Sequence, residues 1–453
     1  MSLYRLLQER AATGAVRVGV IGAGKFASMF LAQARRTPGL HIMAVCDLDL
    51  ARARAALQRT GYSDEETVAA TFEQARKQGS IHLTEDAPAL ITADGLDVVI
   101  DCTGDPAAGI RHALACIEAK RHIIMVNVEA DVLAGPLLAR RAREAGVVYS
   151  MAYGDQPALI VELVDWARAT GFDVVCAGKG TKYLPEYHAS TPDTVWRYYG
   201  LTPEQASRGG MNPKMFNSFL DGTKSAIEMA AVANATGLVP APQGLEFPPC
   251  GVDALAQTLK PRSEGGMLHH DGTVEVVSSV QRDGSDVERD LRWGVYVTFE
   301  APSDYVARCF SEYGLVTDDS GRYSALYRPF HLIGLELGIS VASAELRAEP
   351  TGAAQGFLGD VVASAKRDLA AGEILDGEGG YTVWGRLLPA ADSLALGGLP
   401  IGLAHGVRLK NAIAVGQFIR WTDVEMDETS EPLRVRREME AAFRPAAEVK
   451  VSA

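Results

Sequence analysis

No apolar run in the 453 residues approaches the roughly 20 needed to cross a bilayer, so the sequence offers no candidate membrane span. A basic excess is lacking too. Lys and Arg number 44 against 57 Asp and Glu, a net charge of −13 that repels nucleic acid and anionic lipid and argues against either as a partner. An anionic substrate stays open, because a few clustered Lys and Arg can govern one pocket. Cysteine is sparse, and Cys46, Cys102, Cys116, Cys176, Cys250 and Cys309 include no C-x-x-C pair. They read as reduced thiols of a cytoplasmic protein, not as a disulfide framework or zinc site. H-E-x-x-H and calcium-loop patterns are missing, as are internal repeats and low-complexity tracts. The opening MSLYRLLQERAATG carries Arg5, Glu9 and Arg10 around no apolar core, so it reads as a short amphipathic helix and not as a secretory signal.

What is present is an ordinary globular balance, 47% hydrophobic and 22% charged. At about 100–200 residues per domain the length implies two or three domains. Strand and helix patterns alternate from the start: RVGVIGAG (17–24), a helix over 26–36, HIMAVCD (41–47), LDVVIDCTG (96–104), a helix from about Pro106 to Ala119, HIIMVN (122–127) and GVVYSM (146–151). Strands interleaved with helices of 10–15 residues imply right-handed crossovers and a parallel sheet. The insertion from Tyr62 to Asp86 reads as an extra charged helix and a short strand, and FDVVCAGKG (172–180) as a continuation of the sheet. Residues 211–235 read as one long helix carrying Met215, Phe219, Ile227 and Met229. Residues 240–350 look mixed and antiparallel, and a boundary near 350 precedes a β-rich, glycine-punctuated module.

The chemistry enters at Gly22-x-Gly24-x-x-Ala27, directly after the strand of Val18, Val20 and Ile21. Gly22 allows the tight turn, Gly24 lets a pyrophosphate approach the backbone, and Ala27 allows the helix to pack closely on the strand. The helix then offers its unpaired N–H groups and positive dipole end to the phosphates. With a strand before, a helix after and Asp47 ending the next strand, the pattern is a Rossmann dinucleotide fingerprint. Gly22, Gly24, Lys25, Phe26, Ala27, Asp47, Thr103 and Gly104 are the expected cofactor residues. A carboxylate at Asp47 accepts hydrogen bonds from the ribose hydroxyls and repels a 2′-phosphate, and the nearest Arg is Arg52, so NAD is expected over NADP. In CTGDP (102–106), Asp105 reads as a helix cap.

VNVEADV (126–132), YGDQPA (153–158), AGKGTK (177–182), DGTKSAIEMAAVANATGL (221–238) and RPFHL (328–332) resemble the homoserine-dehydrogenase-like oxidoreductases that include the deoxyxylulose-phosphate reductoisomerase-like enzymes. The resemblance runs from the N-terminus to about residue 430. It implies an α/β architecture with an N-terminal Rossmann fold (1–155), a central α+β catalytic and oligomerisation domain (156–350) and a third, C-terminal domain (351–453). DVVASAKRDLAAGEIL, LPIGLA and GQFIRWTDV resemble the SAF-type β-clip domain. A homo-oligomer, a small-molecule substrate and a divalent cation held by Asp155, Glu129 and Glu228 are further implications. Asp47 departs from the NADPH-using reductive members.

Hydride transfer asks the protein for orientation, a proton carrier and charge stabilisation. Lys179 and Lys182 follow an apolar strand, where an open α/β sheet places its ligand crevice. Asp221 and Lys224 stand at i and i+3, with Glu228 one further turn on, so one helix could present all three to one pocket. Asn127 and Glu129 end a strand, and Asp155 sits at a turn where it either caps a helix or holds a hydroxyl. Arg328 and His331 could bind a phosphate or carboxylate. Lys179, Lys224, Glu129, Asp155 and Asp221 are thus expected catalytic residues, and Asn127, Lys182, Glu228, Arg328 and His331 expected substrate residues. The expected enzyme is an NAD(P)-dependent oxidoreductase of a polyhydroxylated or phosphorylated carbonyl compound, with isomerisation open. Homoserine-type oxidation and a non-catalytic dinucleotide sensor are the alternatives.

Overall fold

The computed structural model describes residues 2–208 and 211–444. Strands β1 (Val16–Ile21), β2 (Leu40–Cys46), β3 (His82–Thr84), β4 (Val98–Asp101), β5 (His122–Met125) and β6 (Tyr149–Met151) form one parallel sheet. Their order is β3-β2-β1-β4-β5-β6, so the winding reverses between β1 and β4 and leaves a crevice above their carboxyl ends. The period of two explains the layers. Val98 and Ile100 pack with Val18, Ala27, Phe30 and Leu31 on one face, while Val99 between them joins Ile110, Leu133 and Leu137 on the other. Each such fully buried side chain contributes about 1.5–3 kcal/mol. The insertion after Tyr62 is a 3-10 turn (Glu65–Thr67), a helix (Phe72–Gln78) and β3.

The segment 172–180 does not extend that sheet. It forms most of β7 (Asp173–Thr181), which pairs in parallel with β8 (Thr273–Ser278) and antiparallel with β9 (Val295–Glu300). With β10 (Tyr323–Arg328) the order is β10-β9-β7-β8. An apolar β-run suits either sheet, and here the partners that decide lie about a hundred residues downstream. Gly178 and Gly180 make the pairing close: a Cβ there would stand 1.7 Å from the Glu275 carbonyl oxygen and 2.0 Å from that of Leu291.

The long helix expected over 211–235 is two helices, Pro213–Asp221 and Thr223–Thr236. They break at Gly222, whose φ of +91° no ordinary helix tolerates. As a result Met215 and Phe219 are exposed, whereas Ile227 and Met229 are buried. The second helix is buried along its length except at Lys224, walled by Leu159 and Val276 on one side and Val361, Val383 and Ile401 on the other. Its alanines let these layers approach.

The C-terminal region is β-rich: β11 (Gly359–Ala365) pairs antiparallel with β13 (Val383–Pro389), and β12 (Ile374–Asp376), β14 (His405–Leu409) and β15 (Val424–Glu425) form a small sheet. Two helices tie the chain back to the first sheet. In Gly338–Arg347, Val341 and Ala344 pack beside Val16 and Val18. In Glu431–Phe443, buried Arg436 bonds Asp360 (2.6 Å) and Glu440 (2.9 Å).

Candidate active site

The nucleotide crevice is built as the glycine pattern requires. Gly22 has φ +95°, and a Cβ on it would lie 2.8 Å from the Cys102 carbonyl oxygen. Around Gly24 a Cβ would meet nothing within 4 Å, so the backbone faces open space. Gly24 also leads the helix Lys25–Ala34, whose first turn has neither a side-chain cap nor an acidic residue. Its N–H groups are therefore available to a diphosphate. Ala27 is fully buried against the sheet, Phe26 half-buried, and Lys25 exposed at the helix start. Asp47 takes the Ala23 N–H on Oδ2 at 2.7 Å and the Arg52 guanidinium on Oδ1 at 2.7 Å. Such a nucleotide therefore fits these residues: turn, open backbone, helix end and ribose-side carboxylate are all present.

Across the crevice, the Thr103 N–H and hydroxyl both donate to Asp101 Oδ1, at 2.8 and 2.7 Å, and Gly104 takes φ +68°. Asp101 is fully buried and also bonds His112 Nδ1 at 2.7 Å. Asn127 donates to Thr103 Oγ1 and the Asp105 carbonyl and accepts from the Ala130 N–H, so it caps the helix Val128–Ala145 and steadies the Thr103 loop. Asp105 caps the helix Pro106–Glu118 by accepting from the Ala108 N–H.

Two residues beyond Asn127 the polar chain becomes ionic. Glu129 pairs with Lys224 of the buried helix. Glu228, one turn along, pairs with Lys179 of β7, whose ammonium also donates to Gln156 Oε1 at 2.8 Å. Asp155 caps the helix Gln156–Ala169 through the Gln156 N–H, at 2.9 Å. Burial, then the Glu228 charge, hold its carboxyl above the usual range, against Lys224 and His331. Burial alone would depress the Lys224 ammonium, but Glu129, Glu228, Glu378 and Asp155 outweigh it and raise its pKa. Glu378, from the loop after β12, accepts from the Ser218 hydroxyl. Burial and then Glu129 push its carboxyl to about 7. First sheet, second sheet and C-terminal region thus each supply side chains to one cluster, in which Asp155, Glu129, Glu228 and Glu378 outnumber Lys179 and Lys224.

Asp221, Lys182 and Arg328 are engaged elsewhere, and His331 touches the cluster only through its effect on Asp155. Asp221 does not share a pocket with Lys224: the break at Gly222 turns it toward Lys366, whose Nζ lies 2.7 Å from Oδ2. Lys182 donates to the Tyr198 carbonyl at 2.8 Å. Arg328 pairs with Glu336, and His331 Nδ1 bonds the Trp293 carbonyl at 2.7 Å, on the loop whose Leu332 carbonyl abuts Gly154. Among the described residues no group of three or more His, Cys, Asp or Glu is placed to hold a metal ion, and Glu129 and Glu228 already face lysines. Sequence reasoning missed Gln156, Glu378, Ser218 and Lys366. Gln156 and Lys366 lay inside motifs already quoted; Glu378 and Ser218 carry no local signal.

Comparison with known proteins matches two segments of the chain. Residues 16–153 match the oxidoreductase family with an NAD-binding Rossmann fold, and residues 154–337 match the catalytic domain of the DRL oxidoreductases. Both family matches are to oxidoreductases, and neither spans half of the chain. Along the sequence, the segment similar to the GFO/IDH/MocA oxidoreductases precedes the one similar to the DRL catalytic domain. Among curated proteins nothing matches. Solved structures give weak likenesses. A probable dehydrogenase from Thermotoga maritima is 13% identical over 70% of this chain and 69% of its own, with a TM-score of 0.30. The myo-inositol dehydrogenase of Lactobacillus casei, solved with NAD(H) and myo-inositol, is 17% identical over 40% of this chain and 50% of its own, at 0.28. An oxidoreductase from Agrobacterium radiobacter, solved with NAD+, L-tartaric acid and magnesium, is 16% identical over 37% and 44%, at 0.27. The chain spans about half the length of most such structures. Among the described residues no helix is long and apolar enough to cross a membrane.

Proposed function

We propose that the protein oxidises a secondary alcohol of a small polyhydroxylated compound, a sugar, sugar acid or polyol, with NAD as acceptor. The observation that carries this reading is the paired cluster Lys179–Glu228 and Lys224–Glu129, joined through Asn127 and Thr103 to the nucleotide crevice. The bound nucleotide supplies the hydride acceptor. Lys224, held protonated by four carboxylates, donates a hydrogen bond to the reacting oxygen and stabilises its negative charge. Lys179, fixed by Glu228 and Gln156, orients the same oxygen. Asp155, whose pKa is raised, receives the hydroxyl proton, and Glu129 and Glu378 order neighbouring hydroxyls. The excess of carboxylates suits a neutral polyol better than a phosphate ester, and Arg328 is already held by Glu336.

The same excess favours one second reading, oxidation of a homoserine-type amino acid, whose ammonium the carboxylates would hold. The relation to reductoisomerase-like enzymes, the SAF-type identity of residues 351–453 and association into a homo-oligomer belong with this proposal; exposed Trp293, Tyr305 and Tyr313 near the second sheet suit a subunit contact. The test is nucleotide reduction, followed at 340 nm, over a panel of polyols, sugar acids, homoserine and deoxyxylulose phosphate with NAD or NADP. Turnover with a polyol or sugar acid and NAD is expected. Turnover with homoserine alone selects the second reading, and coenzyme binding without turnover across the panel returns the protein to a dinucleotide sensor.

A further inference from the structure

A cavity lies on the far side of the buried helix Thr223–Thr236. Gly222 and Ala226 line it, whereas Lys224 and Glu228 serve the candidate active site. A step of two residues turns a helix by about 200°, so the two sets point in opposite directions. The cavity, about 230 Å³, is lined by Phe247, Gly244 and His188 from the central region and by Trp384, Gly385 and Arg386 of β13. That is room for a small organic molecule and too little for a dinucleotide.

Its lining is aromatic and cationic. His188 stacks on Trp384, ring centroids 3.8 Å apart and planes 21° off parallel, and Phe247 stacks on Tyr183 at 4.0 Å and 14°. Burial lowers the pKa of His188, so the ring is neutral near pH 7. Its Nδ1–H donates to the Asp221 carbonyl at 2.7 Å and Nε2 accepts from the Tyr183 hydroxyl at 2.9 Å, which fixes its ring plane. Arg386 is different. It is half-buried, touches the rings of Phe418 (4.5 Å) and Trp384 (5.8 Å), and among the described residues has no hydrogen-bond or ion-pair partner. Asp221, the acid that acts on His188, is paired with Lys366. A desolvated guanidinium without a counter-charge is costly unless an anion arrives.

We propose that this cavity is a second ligand site, separate from the catalytic one, for a small organic anion with a flat ring that stacks on Trp384 while its carboxylate or phosphate takes the Arg386 fork. The probes are benzoate, inorganic phosphate and neutral benzyl alcohol, titrated into the full chain and followed by tryptophan fluorescence and thermal shift. Benzoate should saturate and quench, and phosphate should bind more weakly. Arg386→Gln should weaken benzoate about tenfold or more, Arg386→Lys should keep part of the affinity, and Trp384→Phe should remove the quench. Coenzyme binding by each variant, independent of the proposed activity, reports that the fold is intact. No saturable response to benzoate, equal binding of benzyl alcohol, or an unchanged response in Arg386→Gln would overturn the proposal.

Discussion

Lys366 Nζ stands 2.7 Å from Asp221 Oδ2, both side chains buried, and joins β11's end to the helix Pro213–Asp221. Lys366 also donates to the Ser190 and Gly380 carbonyls, at 2.8 Å each. Removing one member of such a pair strands the other charge. Lys366→Met should therefore cost about 3–5 kcal/mol, and Lys366→Met with Asp221→Leu should recover much of it. Urea unfolding of the three proteins checks this; a single variant as stable as the parent would refute the pairing's importance.

Lys224→Met and Lys179→Met should each lower kcat by about 10²- to 10⁴-fold, the range for losing a group that acts on the reacting proton or charge. Coenzyme affinity should stay near that of the parent, since the nucleotide crevice is formed by other residues. Steady-state kinetics beside coenzyme titration separates the two effects, and parent-like kcat in both variants would remove the lysines from the mechanism.

Asp47→Ala deletes the acceptor on the ribose side and releases Arg52 from its ion pair. NAD binding should weaken about tenfold or more, the value of a hydrogen bond to a charged group. NADP should gain, because Arg52 becomes available to a 2′-phosphate. Parallel titration with both coenzymes measures the switch.

Asp131, in the first turn of the helix Val128–Ala145, is buried with the Tyr149 hydroxyl 2.9 Å away. Burial raises its carboxyl from 3.8 to about 6, although the Tyr149 hydrogen bond opposes the shift. Between those values the native protein holds a proton that the unfolded chain has released, so this group's contribution is full below 3.8 and is lost as pH rises through about 6. Asp131→Asn should flatten that slope and stabilise the protein at pH 7 by up to about 3 kcal/mol. Thermal melts from pH 4 to 8 would show it; parallel curves for parent and variant would contradict it.

The first sheet was legible because its signals are local: alternating Val and Ile, then Gly22, Gly24 and Ala27 at a strand end, then Asp47. Lys179, Glu129 and Asp155 were legible for the same reason, as polar residues just where apolar runs stop. Glu378 and Lys366 were not. Their partners, Lys224 and Asp221, lie some 150 residues away, and one residue's neighbours do not announce so distant a charge. Gly222 misled in another way. Its flanking segments are both helical in pattern, and only its left-handed backbone separates Asp221 from Lys224.

The helix Thr223–Thr236 has almost no free face. Ala226 and the pair Lys224 and Glu228 ride on one enclosed rod. A bulkier side chain at Ala226 that displaced the helix would therefore carry both charged groups with it.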